Sequence, residues 1–318
     1  MIDLTAYAVV FDHPECADFR RVELTPPGTG DVVVRIDYSG ISTGTERLLW
    51  QGTMPQFPGM GYPLVPGYES TGQVIWACPQ SGRKVGQRVF VPGASCFGEI
   101  RGLFGGASST LIVAGKRTQV IDDTLAERGI LLALAATAHS AMRAPEGGFR
   151  MPELIIGHGV LGRLLARLTV LLSAQAPMVW ETDPKRSRGG EGYVVTLSDD
   201  DPRTDYGVIV DASGADGMLD PLIARLAPGG EVVLAGFYSQ PLQFDFPPAF
   251  MRRARLRVAA EWQPEDLQAV CRLASAGKLS LDGLITDCAV ADQTQSAYEQ
   301  AFSNPDCLKM VLDWRSIH

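Results

Sequence analysis

The residues best suited to chemistry form a glycine-rich turn at positions 157–162. An apolar stretch, Leu154–Ile156, runs directly into a Gly-x-Gly-x-x-Gly pattern, and a helical pattern follows at once. In such a loop the first glycine makes the tight turn, the second lets a pyrophosphate approach the backbone, and the third lets the helix pack on the strand. The helix N-terminus then offers free N–H groups to the phosphates. We therefore expect a dinucleotide to be bound by Gly157, His158, Gly159, Val160, Leu161 and Gly162.

An acidic residue follows these glycines at the distance expected for a ribose contact, about 20 positions on. A second apolar run, Met178–Trp180, ends at Glu181. A carboxylate there favours NAD and repels the 2′-phosphate of NADP, although basic residues over 185–188 mean that NADP is disfavoured rather than excluded. The alternative is a glycine turn between a strand and a helix without any ligand. We expect the side chain of His158, inside the loop, to face solvent or a phosphate. The expected cofactor-binding set is completed by Arg186, Ala212, Ser213, Gly236 and Phe237.

The elements that must position this loop divide the chain into three parts. Residues 1–121 look β-rich, because apolar and polar residues alternate over 32–38 and Gly/Pro clusters separate the runs. Over 122–262 helical and strand patterns alternate, which indicates a doubly wound parallel sheet. The helix predicted over 160–173 has one apolar face, with Arg163 and Arg167 opposite. Residues 263–318 are too few for a domain and are expected to return to the first part, with short strands at 284–285 and 311–312.

Bulk composition excludes several classes of protein. The chain has 318 residues and a net charge of −8, so no basic footprint points to nucleic acid. Its six cysteines are scattered without a Cys-x-x-Cys pair, which argues against a disulfide framework and fits a reducing cytoplasm. No signal peptide is visible, and the longest apolar stretch, 130–142, is too short to span a bilayer. We expect a cytoplasmic protein without a transmembrane segment.

The order of these parts resembles the medium-chain dehydrogenase/reductase superfamily over nearly the whole chain. The matching strings are Gly40-Ile41-Ser42, Val65-Pro66-Gly67-Tyr68-Glu69-Ser70-Thr71-Gly72, Val85-Gly86-Gln87-Arg88-Val89, the 157–162 loop and Ala227-Pro228-Gly229-Gly230. The resemblance implies an α/β protein with a GroES-like catalytic domain (1–121), a Rossmann NAD-binding domain (122–262) and a C-terminal segment (263–318) that returns to the catalytic domain. It also allows a homodimer joined through the sheet edge of the cofactor domain.

Longer strings, over 39–50 and 57–70, resemble members of the superfamily that act on a bacteriochlorin. Those members oxidise the 1-hydroxyethyl side chain at C3 to an acetyl group, with NAD as acceptor. The resemblance therefore implies a tetrapyrrole substrate, which a flat apolar wall would suit. Candidates for that wall are Trp50, Phe57, Met60 and Tyr62. The alternative is a surface loop packed on its own domain.

Zinc-dependent members of the superfamily hold their catalytic metal with a Cys, a His and a second Cys. The corresponding positions here are Ser42, Tyr68 and a residue near Ala133. Neutral hydroxyl groups are poor zinc ligands, and alanine has no side-chain atom that can bind zinc. We therefore expect no metal.

Without a metal, alcohol oxidation needs a group that takes the proton and a donor that stabilises developing alkoxide. Tyr68 stands where a zinc ligand would stand and is the candidate donor or proton relay. His139 lies on the helix that approaches the nicotinamide in the family and is the candidate acid/base; the alternative is a buried, hydrogen-bonded ring. Ser42, Thr45 and Glu46 occupy the family's proton-relay segment, where Ser and Thr often only cap a helix. Glu69 is either catalytic or a buried structural carboxylate.

Two other functions stay open on the sequence alone. One is a zinc-free, NADPH-dependent reductase of the quinone or enoyl type, which would prefer NADPH. The other is a non-catalytic protein that binds a nucleotide or a pigment, suggested by the loss of all three zinc ligands. That protein would bind the cofactor without turnover.

Overall fold

The computed structural model describes residues 3–56, 58–259 and 261–317. Two compact units divide the chain: the first extends to Ala133 and resumes at Asp282, and the second is Leu134–Leu281. These boundaries fall later than the breaks expected after residues 121 and 262. The 3₁₀ segment Asp123–Leu131 stays with the first unit, where a side chain at Gly129 would touch Thr71.

Seventeen strands and seven α-helices carry both units in the described residues. The strands are β1 Thr5–His13, β2 Cys16–Glu23, β3 Asp31–Ile41, β4 Leu64–Val65, β5 Ser70–Ala77, β6 Arg88–Val91, β7 Arg101–Gly102, β8 Thr110–Ala114, β9 Gln119–Val120, β10 Leu154–Ile156, β11 Met178–Trp180, β12 Val194–Thr196, β13 Tyr206–Asp211, β14 Leu226–Leu234, β15 Arg255–Val258, β16 Asp287–Val290 and β17 Met310–Asp313. The helices are α1 Thr45–Gln51, α2 Leu132–Ala141, α3 Val160–Ser173, α4 Leu219–Arg225, α5 Phe246–Arg252, α6 Pro264–Ser275 and α7 Thr294–Ser303.

The first unit is built from two sheets. One has the order β2-β1-β4-β7, and the other β16-β17-β3-β5-β6-β9, with β8 also paired to β3. The C-terminal segment enters the second sheet, where β17 runs antiparallel to β3 with Val311 opposite Gly40. The prediction of a strand at 284–285 is wrong, because the strand of this region, β16, begins only at Asp287.

The second unit has one parallel sheet with the order β12-β11-β10-β13-β14-β15. The α/β fold class with a doubly wound sheet is confirmed. Because the strands are parallel, their carboxyl ends meet at one edge, which is where α/β sheets bind ligands. Among the described residues, no helix has the length and apolar content needed to cross a membrane.

Helix α3 begins and ends where its apolar periodicity predicts, but its polar face is not exposed. Arg163 and Arg167, expected opposite the apolar face, are both buried. Their guanidinium groups donate to backbone carbonyls, Arg163 to His158 O and Arg167 to Ser280 O. A buried charge is tolerated when such partners satisfy it, so periodicity alone could not reveal this burial.

Candidate active site

Three hydroxyl groups meet at one end of the second sheet of the first unit. Ser42 directly follows β3, Thr45 begins α1, and Tyr68 precedes β5. Strands β3 and β5 run antiparallel with Ser39 opposite Ser70, so their ends bring Ser42 and Tyr68 together. The Ser42 Oγ lies 2.8 Å from the Tyr68 hydroxyl, and the Thr45 side chain makes a further hydrogen bond to Tyr68.

The Tyr68 hydroxyl is held in its protonated form. Burial, reinforced by the negative charge of Glu69, raises the pKa of Tyr68 well above its ordinary value. A phenol that stays protonated at neutral pH can donate a hydrogen bond to a developing alkoxide but cannot act as a base on its own. Its one available route for proton transfer is to pass its own proton onward while it receives another.

A buried carboxyl group supports the same turn. Glu46 is fully buried; its Oε1 accepts from the Ser42 N–H at 3.1 Å, and its Oε2 lies 3.0 Å from the Tyr298 hydroxyl, which donates to it. Burial, with the charge of Glu69 added, raises the pKa of Glu46 to about 8. The group is therefore mostly neutral at pH 7 and fixes the Ser42 backbone.

Glu69 forms a buried ion pair rather than joining the hydroxyl cluster. Its Oε2 contacts the Lys309 Nζ, and Lys309 also donates to Ile41 O at 3.1 Å. Burial raises the pKa of Glu69, while Lys309 opposes that shift. The pair requires Gly40, because a Cβ there would lie 2.3 Å from Glu69 Oε2.

Sequence reasoning missed Lys309. The signal that could have found it is a lone lysine inside the otherwise apolar run 307–312, where an unpaired charge would be costly.

The residues at the three expected zinc-ligand positions do not fit a catalytic zinc. Ser42, Tyr68 and Ala133 supply no thiolate and no imidazole, which are the ligands that zinc sites of this type use. Within the described parts of the chain, no three His, Cys, Asp or Glu side chains are grouped so that they could hold a metal ion.

His139 lies in the second unit, on α2. Its Nδ1 is 2.7 Å from Asp266 Oδ1, and Arg143 donates to the same oxygen at 3.1 Å. Asp266 is fully buried near the start of α6 and also accepts from the Gln263 N–H. A carboxylate can only accept from an imidazole N–H, so Asp266 holds the proton on Nδ1 and leaves Nε2 as the position for a proton acceptor.

The structure does not place Trp50 on a surface that could contact a bacteriochlorin. This side chain is buried in the core of the first unit, stacked on Tyr298 with a centroid distance of 5.8 Å. Tyr62 donates to Leu49 O, and Met60 packs partly buried against the same core. Phe57 lies outside the described residues. Trp50 and Tyr62 therefore fit the alternative prediction, a segment packed on its own domain, because their rings pack against that core.

The glycine loop of the second unit has the geometry that a pyrophosphate needs. Gly157 has φ +90°, and a Cβ at Gly162 would lie 1.9 Å from Gly157 O, so both positions require glycine. Gly159 differs, because its φ is −71° and a Cβ there would meet no atom within 4 Å. That open space beside the first turn of α3 fits a phosphate group.

Glu181 follows β11 and faces this loop. Its Oε2 accepts from the His158 N–H at 2.8 Å, and its Oε1 accepts from the Asp183 N–H at 2.9 Å. The two bonds orient the carboxylate and leave lone pairs for ribose hydroxyls. The other expected cofactor residues follow the neighbouring strands β13 and β14 at the same sheet edge: Ala212, Ser213, Gly236 and Phe237.

The expected orientation of the His158 side chain is wrong. The ring is fully buried, with Nδ1 2.6 Å from Arg186 O and Nε2 2.8 Å from the Tyr193 hydroxyl. It faces the chain that follows β11, not solvent or a phosphate. Tyr193 and Arg163, the partners of this ring and its backbone, were not singled out from the sequence as cofactor-site residues.

A β-rich unit joined to a parallel dinucleotide-binding unit, with hydroxyls at one sheet end, defines a medium-chain alcohol dehydrogenase. Residues 28–122 match the alcohol dehydrogenase GroES-like domain. The acetophenone reductase of Geotrichum candidum, solved in complex with NAD, superimposes with a TM-score of 0.82 at 18% identity, covering 98% of each chain.

Two curated relatives are much closer in sequence. The 2-desacetyl-2-hydroxyethyl bacteriochlorophyllide A dehydrogenase of Rhodobacter capsulatus is 55% identical over 96% of this chain and 98% of its own length. The protein of the same name from Cereibacter sphaeroides is 52% identical over 97% and 98%. The chain belongs to this dehydrogenase family within the medium-chain dehydrogenase/reductase superfamily. The superfamily and the oxidoreductase class expected from the motifs are confirmed.

Proposed function

We propose that the chain oxidises the 1-hydroxyethyl group at C3 of a bacteriochlorophyllide a precursor to an acetyl group, with NAD as hydride acceptor and without zinc. The observation that carries this proposal is the 55% identity, over 96% of the chain, to a relative whose name states a hydroxyethyl bacteriochlorophyllide dehydrogenase. The reaction removes a hydride from the carbinol carbon and a proton from its oxygen.

NAD would be held by the backbone of 157–162, with its ribose hydroxyls on Glu181. When bound, NAD supplies the acceptor for the hydride. The open space at Gly159 and the oriented carboxylate support this assignment, since a 2′-phosphate would be repelled by Glu181. We propose NAD rather than NADP on that ground.

Tyr68 would act on the alcohol oxygen. As the carbinol carbon loses its hydride, the alcohol proton would move to the Tyr68 oxygen while Tyr68 passes its own proton to the hydroxyl of Ser42 or Thr45, which releases a proton to water. Throughout this relay the phenol would stay hydrogen-bonded to the reacting oxygen and stabilise its developing negative charge. This geometry replaces the electrophile that zinc-dependent relatives use. We propose that Glu69 and Lys309 support the turn that carries Tyr68, and that the Nε2 of His139 is a second candidate proton acceptor.

The direct test mixes purified protein with 1-hydroxyethyl bacteriochlorophyllide a and NAD, and follows the pigment and NADH spectra together. The expected result is a red-shifted pigment product with one NADH formed per pigment, unaffected by prior treatment with a zinc chelator. No pigment shift with either NAD or NADP would refute the proposal. Glu181→Ala provides the cofactor comparison, because it should lower the preference for NAD over NADP, and an unchanged preference would reject Glu181 as its source.

We also propose that two copies pair through the second unit, in the cytoplasm. Strand β15 is an edge strand of its sheet, and α5, the helix that precedes it in the chain, exposes Phe246, Phe250 and Met251. An unpaired sheet edge and an exposed apolar face are each typical of an interface. The wild type should sediment as a dimer and Phe250→Asp as a monomer; a monomeric wild type would refute the pairing. The free state of all six cysteines fits a reducing compartment.

A further inference from the structure

A buried histidine connects the glycine loop to the segment 182–193, which runs from Glu181 to the start of β12. The ring of His158 has Nδ1 2.6 Å from Arg186 O and Nε2 2.8 Å from the Tyr193 hydroxyl. A carbonyl can only accept, so Nδ1 carries the proton and Nε2 accepts from Tyr193. Burial lowers the pKa of His158 to about 4, so the ring stays in this neutral form at physiological pH.

A buried arginine, Arg163, also binds the segment 182–193. Arg163, in the first turn of α3, donates to His158 O at 3.0 Å and to Arg188 O at 2.8 Å. It also reaches Arg186 O at 3.2 Å. The carbonyl of Arg186 is therefore held by both a ring N–H and a guanidinium.

These contacts act on two residues of the expected cofactor site, Glu181 and Arg186. The His158 N–H fixes the Glu181 carboxylate, while its side chain fixes the backbone of Arg186. The same segment carries Lys185, Arg186 and Arg188, the basic side chains that could neutralise a 2′-phosphate if the segment moved. A loop that is free to move would both weaken ribose binding and reduce the rejection of NADP.

We propose that His158 is a positioning residue for the dinucleotide: by holding Arg186 and Tyr193 it fixes the segment 182–193 as the wall of the adenosine site and so sets affinity for NAD and discrimination against NADP. This inference rests on the proposed cofactor site, but not on the identity of the pigment. The experiment therefore measures cofactor binding and segment order without any pigment.

The informative variants are Tyr193→Phe, which removes one hydroxyl and keeps the ring, and His158→Asn, which keeps a donor to Arg186 O. His158→Leu removes both bonds. Dissociation constants for NAD and NADP, measured by calorimetry, should rise for NAD by about threefold to tenfold per lost hydrogen bond, the range that such bonds contribute. His158→Leu should show the largest rise and His158→Asn a partial rescue, with NADP affected less than NAD.

Limited trypsin digestion of the full chain gives a readout that does not depend on cofactor chemistry. Cleavage after Lys185, Arg186 or Arg188 should be slow in the wild type and faster in Tyr193→Phe and His158→Leu, and added NAD should slow it again. Tyr206→Phe is the matched control, because it removes a buried tyrosine bond to Asp201 in the same unit. It should lower stability without changing NAD affinity or this cleavage.

Tyr193→Phe keeps the test decisive if His158→Leu fails to fold. Unchanged NAD affinity and cleavage in a folded Tyr193→Phe would overturn the proposal. Equal losses of affinity for NAD and NADP in Tyr193→Phe, with cleavage after Lys185, Arg186 or Arg188 no faster than in Tyr206→Phe, would also overturn it by indicating a purely structural role. If the wild type binds neither NAD nor NADP, the cofactor site itself fails, and that result is distinct from a failure confined to the variants.

Discussion

The hydroxyl cluster of the first unit and the glycine loop of the second are built in opposite ways. The loop is local: Gly157, Gly159 and Gly162 lie within six residues, and their backbone geometry creates the binding surface. The cluster is assembled from distant parts of the chain, since Ser42 and Tyr68 meet across β3 and β5 and are backed by Tyr298 and Lys309. Backbone binding follows from the order of residues, whereas a catalytic arrangement of side chains depends on the fold around it.

The largest expected effect is that of Tyr68→Phe on turnover, which tests whether the hydroxyl cluster is catalytic. If the cluster supplies the transition-state donor, turnover should fall by about 100-fold, the lower end of the loss when one such donor is removed. Steady-state kinetics and NAD calorimetry on the same sample should show lower kcat with unchanged NAD affinity. Tyr7→Phe, an exposed tyrosine of β1, is the control and should keep full turnover. Equal turnover in both variants would remove Tyr68 from the mechanism.

A smaller effect is expected at the loop. Gly159→Val should raise the KM for NAD by about tenfold, because the new side chain occupies the space left for a phosphate while the backbone keeps an ordinary φ. The melting temperature should change little. Gly162→Ala should instead lower the melting temperature, because its Cβ would collide with Gly157 O.

Gly28→Val, in an exposed loop of the first unit, is the control for Gly159→Val and should change neither quantity. If Gly159→Val binds NAD like the wild type, the phosphates are bound elsewhere.

The smallest effect concerns the support beneath the cluster. Because the pKa of Glu46 is raised from 4.5 to about 8, this carboxyl takes up a proton on folding, so its contribution to stability falls as pH rises from about 4.5 to about 8. Glu46→Gln mimics the neutral form and should lose this pH dependence. Denaturant midpoints measured at pH 5 and pH 8 should therefore move in favour of the variant at the higher pH.

Glu99→Gln, an exposed carboxyl of the same unit, is the control for that measurement and should run parallel to the wild type. If Glu46→Gln also runs parallel, Glu46 is ionised in the folded protein and the cluster carries more negative charge than the structure indicates.

Several site residues could not be predicted because their partners are remote in sequence. His158 sits in a loop that the sequence identifies, yet its side chain is buried by Tyr193, 35 residues away. Arg163 and Arg167 have the spacing of an exposed face, but carbonyl acceptors allow their burial. Trp50 is an aromatic residue of the type expected in a pigment-binding surface, but it packs in a core that Tyr298 completes. In each case a contact formed only after folding overrides a local pattern.

The sequence by itself determined the glycine loop, helix α3, the parallel sheet, the acidic residue after β11 and the loss of zinc ligands, because each depends on neighbouring residues or on residue type alone. Only the tertiary structure decided what stands in the place of the metal site. Strand pairing brings Ser42 to Tyr68, and the returning C-terminal segment carries Lys309 to Glu69. Side chains from opposite ends of a chain meet through long-range pairing, and no local pattern encodes that pairing.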